Sequence, residues 1–256
     1  MNETPDKGEG LRAAMALVAT LGTIAFNGLS AAGYVNRVSP AMISDMHPTV
    51  ITPAGYAFTI WSVIYAGMLA FSIYQLWPSN IGRFRGVRTL YIASCLFNCA
   101  WIYFWHRDQI GICLALIIGL TLTLLLINYQ FRTPVSLRES LFTRAPFGLY
   151  FGWVTAATIV NFAVFLAYME VRFSANSAAV FGCCAIAIAS VAAFLARWRL
   201  SNFIYPLAVA WALTAIAVKQ SGNTPVVLAA ALGAVFCLVT SGSIVTNLKD
   251  STSEQR

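Results

Sequence analysis

Long apolar segments without charge dominate this chain of 256 residues. The segment from Gly111 to Ile127, for example, is continuously apolar apart from two threonines and does not alternate in polarity as a transmembrane β-strand would. Crossing a bilayer takes about 20 apolar residues in an α-helix, which satisfies its own backbone groups. Charged residues make up 10% of the chain, against about 25% in soluble domains. The sequence therefore predicts an all-α, polytopic membrane helix bundle and excludes a soluble enzyme, a disulfide scaffold and a disordered chain.

We predict about eight transmembrane helices, separated by short segments that carry nearly all of the charge. Their predicted limits are residues 11–31, 56–77, 88–106, 109–131, 146–169, 177–196, 203–219 and 225–247. An even number of spans places both ends of the chain on one side of the membrane, which we call side A.

Most of the basic residues fall on side A. They are Lys7, Arg12, Arg83, Arg85, Arg88, Arg132, Arg138, Arg144, Arg197, Arg199, Lys249 and Arg256. The opposite side, side B, carries only Arg37, Arg107, Arg172 and Lys219. Because basic residues concentrate on the cytoplasmic side, we expect an integral protein of the bacterial cytoplasmic membrane with both termini cytoplasmic. The net charge of +7 is thus a topology signal, and no nucleic-acid partner is expected.

The middle of every predicted span lacks a charged residue. Coupled transporters and pumps place titratable groups inside the bundle, so this pattern disfavours them. The two histidines, His47 and His106, lie in a loop or at a span end, and the six cysteines lie within spans without a C-x-x-C motif. We interpret the cysteines as small packing residues. The sequence predicts no metal site and no catalytic residue.

Tryptophan and asparagine residues inside the spans are the candidates for a ligand pocket. Asn98 precedes Trp101 by three residues, and Asn161 follows Trp153 by eight, so helical spacing can place each amide near an indole. Two interpretations remain open: hydrogen bonds that hold helices together, or an aromatic cavity for a large flat ligand. Three further tryptophans are predicted as anchors at the membrane interface, namely Trp77, Trp105 and Trp198.

Three sequence blocks resemble the TspO/MBR family of tryptophan-rich sensory or translocator proteins. Residues 53–65 read PAGYAFTIWSVIY and reproduce the family's spacing of proline, tryptophan and tyrosine. Residues 98–101 read NCAW, like the family's N-x-A-W, and residues 153–161 read WVTAATIVN, like its W-V-x-x-A-T-x-x-N. The resemblance covers residues 11–170. The chain departs from the family at Phe58-Thr59, which replace a glycine-proline pair, and at Phe104-Trp105, which replace a proline-containing run.

The resemblance implies a receptor-like bundle that binds haem, another porphyrin or a sterol-like lipid. It also implies that the loop between the first two spans caps the pocket, where Asp45 and His47 could meet a polar edge of the ligand. The ligand-binding residues that it suggests are Trp61, Tyr65, Asn98, Trp101, Trp153, Asn161, Tyr56, Phe58 and His47. Residues 166–172, which include Tyr168 and Arg172, also fit a weak cholesterol-contact pattern.

The resemblance divides the chain into four predicted parts. Residues 1–10 and 249–256 are cytoplasmic tails, residues 11–170 are a TspO-like five-helix bundle, and residues 171–248 add three membrane helices. These last helices are rich in Ala, Gly, Ser and Val, which favours close helix packing or an oligomer face.

Several functions remain open after the sequence analysis. The leading hypothesis is a binding protein for a small hydrophobic planar ligand, acting as sensor, regulator or carrier, with membrane lipid as a further partner. A facilitated transporter of such a ligand and a structural subunit of a membrane complex or homo-oligomer are the alternatives. An enzyme acting on a tetrapyrrole is less favoured, because no acid–base or nucleophile–base pair is identifiable.

Overall fold

A computed structural model describes residues 7–133 and 136–243, and these residues fold into helices without any strand. The α-helices are α1 (Lys7–Ala31), α2 (Pro40–Met46), α3 (Ile60–Tyr74), α4 (Arg85–Trp105), α5 (Ile110–Gln130), α6 (Leu137–Phe142), α7 (Arg144–Tyr168), α8 (Ala175–Arg199), α9 (Ile204–Lys219) and α10 (Thr224–Gly242). A 3-10 helix, η1 (Gly55–Thr59), leads directly into α3. The predicted all-α bundle is confirmed.

Every predicted span contains one α-helix of at least 15 residues. Within the described residues, seven helical segments are long and apolar enough to cross a membrane, while α9 is apolar but has only 16 residues. The last predicted span extends to residue 247, and its residues 244–247 lie outside the described residues, as does the tail 249–256. At the other end, α1 begins at Lys7, inside the predicted tail 1–10. The helix begins earlier than the predicted span because Glu9 in its first turn is buried against Arg88 of α4.

The helices alternate in direction, so that the ends of the bundle correspond to the predicted sides A and B. On side A, Glu9 at the start of α1 bonds Arg88 at the start of α4, and Asn202 before α9 bonds the carbonyl of Arg144 at the start of α7. On side B, Lys219 at the end of α9 pairs with Asp45 of α2. The described basic residues therefore lie at the ends that the sequence predicts, and Lys249 and Arg256 fall outside the described residues.

A cluster of phenylalanine rings fills the side A half of the first five spans. Phe71 lies within 6.0 Å, centroid to centroid, of Phe84, Phe131 and Phe147, all of which are buried. Tyr91 packs edge-on against Phe71 at 5.2 Å. We call these five rings the aromatic plug. It closes the interior of the bundle towards side A with apolar surface.

Small residues let α7, α9 and α10 approach one another closely. A Cβ atom added to Gly152 of α7 would lie 2.5 Å from the carbonyl oxygen of Tyr205 on α9. A Cβ atom added to Gly233 of α10 would lie 2.8 Å from Ser190 Oγ of α8. Membrane helices rely on such close backbone approach because lipid supplies no hydrophobic driving force between them. The last three helices therefore pack onto the first five spans through α7.

Candidate ligand-binding cavity

A cavity lies on the side B half of the bundle, where η1, α3, α4, α5, α7 and α9 converge. Its wall is mostly apolar and aromatic, and the few polar side chains come from α2 and α7. The lining residues are Ser44, Pro53, Phe58, Trp61, Trp101, Trp105, Ile117, Leu120, Trp153, Val154, Ala156, Ala157, Val160, Asn161, Ala212 and Ile216. Predominantly apolar walls with a few polar groups are typical of sites for small organic ligands.

Aromatic rings from separate elements meet around this cavity. Trp153 of α7 packs edge-on against Phe58 at 6.0 Å and against Trp61 at 6.4 Å between ring centroids. Trp101 and Trp105 are one helical turn apart on α4 and stack at 5.3 Å. Rings in these arrangements offer both faces and edges to a flat aromatic ligand. The rings therefore give the cavity a largely aromatic wall.

The indole N–H groups in the wall differ in their partners. Trp101 Nε1 donates to Asn161 Oδ1 at 3.1 Å, and Trp105 Nε1 donates to the carbonyl of Pro40 at 3.1 Å. Trp153 is 4% exposed, and its Nε1 has no acceptor among the described residues. A buried indole N–H normally finds an acceptor, since leaving it unpaired costs about 1–3 kcal/mol. Within the described residues, the wall therefore contains a buried indole N–H, that of Trp153, without a hydrogen-bond partner.

The free space in the cavity is small in this structure. Its volume is about 40 Å³, which accommodates only a few water molecules, whereas pockets for drug-sized ligands span roughly 300–1,000 Å³. Phe58 and Trp105, which stand at positions where the sequence departs from the family pattern, both reduce this space. A porphyrin-sized molecule therefore requires the wall to open.

The segment 40–59, which we call the cover, closes the cavity on side B. Asp45 Oδ1 accepts from Lys219 Nζ at 2.8 Å, and His47 Nε2 lies 2.5 Å from Asp108 Oδ1 in the turn between α4 and α5. A backbone hydrogen bond also holds the cover: the N–H of Ala54 donates to the carbonyl of Ala215 on α9 at 3.0 Å. The cover is thus held by two partly exposed polar pairs and by its packing on α9.

Five of the residues that the sequence suggested line the cavity together: Phe58, Trp61, Trp101, Trp153 and Asn161. The amide of Asn161 is the acceptor for Trp101, a pairing between two predicted residues that the sequence had not matched with each other.

The other suggested residues lie outside the cavity wall. Tyr65 stacks on Trp61 at 5.4 Å, Tyr56 is 40% exposed against Trp211, and His47 holds the cover. Asn98 is buried away from the wall: it accepts from Asn27 Nδ2 at 2.8 Å and donates to the Tyr150 hydroxyl at 3.0 Å.

The prediction that Trp105 anchors the membrane interface is wrong. Its side chain is 2% exposed and lines the cavity, because it lies four residues after Trp101 and therefore on the same helix face. That spacing was the signal that could have placed it correctly. Trp77 and Trp198, the other two predicted anchors, are 43% and 62% exposed.

The sequence analysis also missed the part of the wall that α9 supplies. Ala212 and Ile216 line the cavity although they lie beyond residue 170, where the predicted ligand-binding bundle ends. No local pattern marks them, because buried alanine and isoleucine are common on any membrane helix. The cavity is therefore built by residues on both sides of the predicted boundary.

These features define an integral membrane helix bundle with an enclosed aromatic cavity. A family model described as TSPO-like protein matches residues 13–244, and the chain belongs to this family. The match continues through α8, α9 and α10, beyond the residues 11–170 that carry the recognisable sequence blocks. Searches of curated proteins and of solved structures gave no match.

Proposed function

We propose that this protein binds a flat, largely apolar ligand with at least one hydrogen-bond acceptor, of the porphyrin or sterol-like class, in the aromatic cavity. It acts as a receptor or carrier for that ligand within the membrane. The observation that carries the proposal is the buried Nε1 of Trp153, which has no partner among the described residues, on a side chain that lines a mostly aromatic and aliphatic wall. A ligand acceptor at this N–H would remove the penalty of leaving it unpaired.

The asymmetry of the bundle supports binding rather than passage through it. Towards side A the interior is closed by the aromatic plug, whose rings are fixed by edge contacts within 6.0 Å of Phe71. Towards side B the cavity is closed by the cover, which is held by two partly exposed polar pairs, the backbone bond between Ala54 and Ala215, and the bonds from Gln220 to the carbonyls of Thr49 and Thr52. We infer that the ligand enters when the cover moves and leaves by the same route.

Binding can be tested with protoporphyrin, whose carboxylates and ring nitrogens supply acceptors. Titration of the purified protein in mild detergent should produce a saturable shift of the porphyrin Soret band. Trp153→Phe retains the ring and removes the N–H, so we expect the dissociation constant to rise roughly fivefold, which corresponds to about 1 kcal/mol. Trp198→Phe makes the same change at an exposed position and should leave the dissociation constant unaltered.

Two outcomes would reject this assignment. One is the absence of saturable binding, and the other is equal weakening of binding by Trp153→Phe and Trp198→Phe. Release of the same porphyrin from loaded proteoliposomes distinguishes binding alone from facilitated transport. A binding protein that is closed at side A should not accelerate this release. Release above that of empty liposomes would favour facilitated transport.

A further inference from the structure

Two arginines on side A have no negatively charged partner among the described residues. Arg144 begins α7, and Arg197 lies near the end of α8. The Nε atom of each is buried and has no hydrogen-bond partner among the described residues, and the two guanidinium groups repel each other electrostatically. Both side chains as a whole are only partly buried, but an arginine at the end of a membrane helix is favoured by an anionic partner. This pair therefore has the electrostatics of a binding site for an anion.

The described carboxylates of side A are engaged elsewhere. Glu9 bonds Arg12 and Arg88 at 2.9 Å and 2.6 Å, and Glu139 pairs with Arg83. The remaining described acidic residues, Asp45, Asp108 and Glu170, belong to loops or helix ends on side B. Within residues 7–133 and 136–243, no carboxylate is thus left to neutralise the two arginines.

Arg197 lines a groove between α8 and α10 that opens at the surface of the bundle. The groove has a volume of about 460 Å³ and combines this arginine with apolar and aromatic side chains. The other lining residues are Phe194, Trp198, Phe236, Val239, Thr240 and Ser243. Val239 is 67% exposed and Phe236 is 44% exposed, although both are apolar. One end of the groove is therefore cationic, and the rest offers apolar surface to the bilayer.

We propose that this groove binds one anionic phospholipid of the side A leaflet. The lipid phosphate accepts hydrogen bonds from the Arg197 guanidinium, and Arg144, which lies outside the groove lining, adds to the positive potential of this side. An acyl chain lies along Phe194, Phe236 and Val239. Arginine suits this role because its planar guanidinium bonds phosphate oxygens in a fork and remains charged in a membrane setting. Basic pockets between membrane helices recognise anionic headgroups in this way.

Native mass spectrometry of the full chain tests the lipid assignment. The protein is released from nanodiscs of equal phosphatidylglycerol and phosphatidylcholine content, and the retained lipids are counted. We expect retention of one phosphatidylglycerol, with the retained fraction falling roughly tenfold in Arg197→Gln, because the charged hydrogen bonds are lost. The matched variant Arg132→Gln removes an exposed side A arginine outside the groove and should retain phosphatidylglycerol like the wild type. Equal retention of the two lipids, or unchanged retention in Arg197→Gln, would overturn the proposal.

Control variants test whether the Arg197→Gln variant is folded and which group supplies the negative charge. Arg197→Lys preserves the charge, so partial retention of phosphatidylglycerol in this variant shows that loss in Arg197→Gln does not result from misfolding. Asp250→Asn with Glu254→Gln removes the acidic side chains of the C-terminal tail, and unchanged retention in this double variant supports the lipid. If inorganic phosphate alone raises the melting temperature as much as phosphatidylglycerol does, the groove binds free phosphate and the lipid assignment is wrong.

Discussion

Individual polar side chains in the bundle interior divide into those that face the cavity and those that hold helices together. Trp153 belongs to the first group, because its side chain lines the cavity, and its buried Nε1 has no acceptor among the described residues. Asn98 belongs to the second, since its amide bonds Asn27 of α1 and Tyr150 of α7. The sequence left both interpretations open for the tryptophans and asparagines, and the hydrogen bonds distinguish Asn98 from Trp153.

Asn98→Ala should therefore affect stability more than ligand binding. Losing two interhelical hydrogen bonds is expected to lower the free energy of unfolding by about 1 kcal/mol, since such bonds are individually modest in membranes. Thermal unfolding in detergent measures the first effect, and porphyrin titration should show a dissociation constant within about twofold of the wild type. A rise in the dissociation constant comparable to that of Trp153→Phe would place Asn98 in the ligand site.

The residues that could be predicted from the sequence are those with a local signal. Trp61, Trp101, Trp153 and Asn161 stand out because tryptophan and asparagine are costly inside a span unless they have partners. The partner of Asn98 could not be predicted, because Asn27 is 71 residues away and α1 shows no matching motif. Ala212 could not be predicted either, because it lines the wall only through its small apolar side chain, which gives no sequence signal.

Close approach between helices determines how the last three spans join the first five. Gly152→Ala places a Cβ atom 2.5 Å from the Tyr205 carbonyl oxygen and 2.9 Å from Ala208 Cβ. Because both are held by buried helices, α7 and α9 must separate, and we expect a loss of about 1–3 kcal/mol in stability. Melting temperatures of the purified variants measure the loss.

Gly22→Ala is the matched control for this substitution. Gly22 lies on α1, and nothing lies within 4 Å of the added Cβ atom. Alanine is also the better helix former, so this variant should melt at or slightly above the wild-type temperature. Equal destabilisation by both substitutions would mean that the contact between α7 and α9 is not responsible.

In the proposed function, the cover is the element that moves to admit the ligand. Asp45→Asn removes its ion pair with Lys219, in which the two side chains are 47% and 41% exposed. Such pairs contribute about 0–1 kcal/mol, so stopped-flow mixing should show porphyrin association faster by up to roughly fivefold. High salt should mimic the substitution because exposed charges are screened.

Arg83→Gln supplies the control for the cover, because it breaks a pair with Glu139 on side A, far from the cavity mouth. Its association rate should equal that of the wild type. The model of entry from side B fails if both substitutions accelerate association equally, or if neither does.

Across the whole molecule, the two ends of the bundle are built differently. The aromatic plug and the buried Glu9–Arg88 pair close side A, while a tethered cover closes side B. The helix count and the sorting of basic residues could be predicted because length and charge determine them. The depth of the cavity could not be predicted from the sequence. It depends on how α9, a short helix of 16 residues, packs against α7.

The central claim is that this cavity is the site of the planar ligand. Ala157 lines the cavity on α7, so Ala157→Leu fills part of it, whereas Ala14→Leu makes the same change at an exposed position on α1. Soret titration with protoporphyrin should give saturable binding for the wild type and for Ala14→Leu. For Ala157→Leu we expect a dissociation constant raised at least roughly tenfold, since overpacking this wall opposes the ligand by a kcal/mol or more. Wild-type affinity in Ala157→Leu would contradict the account.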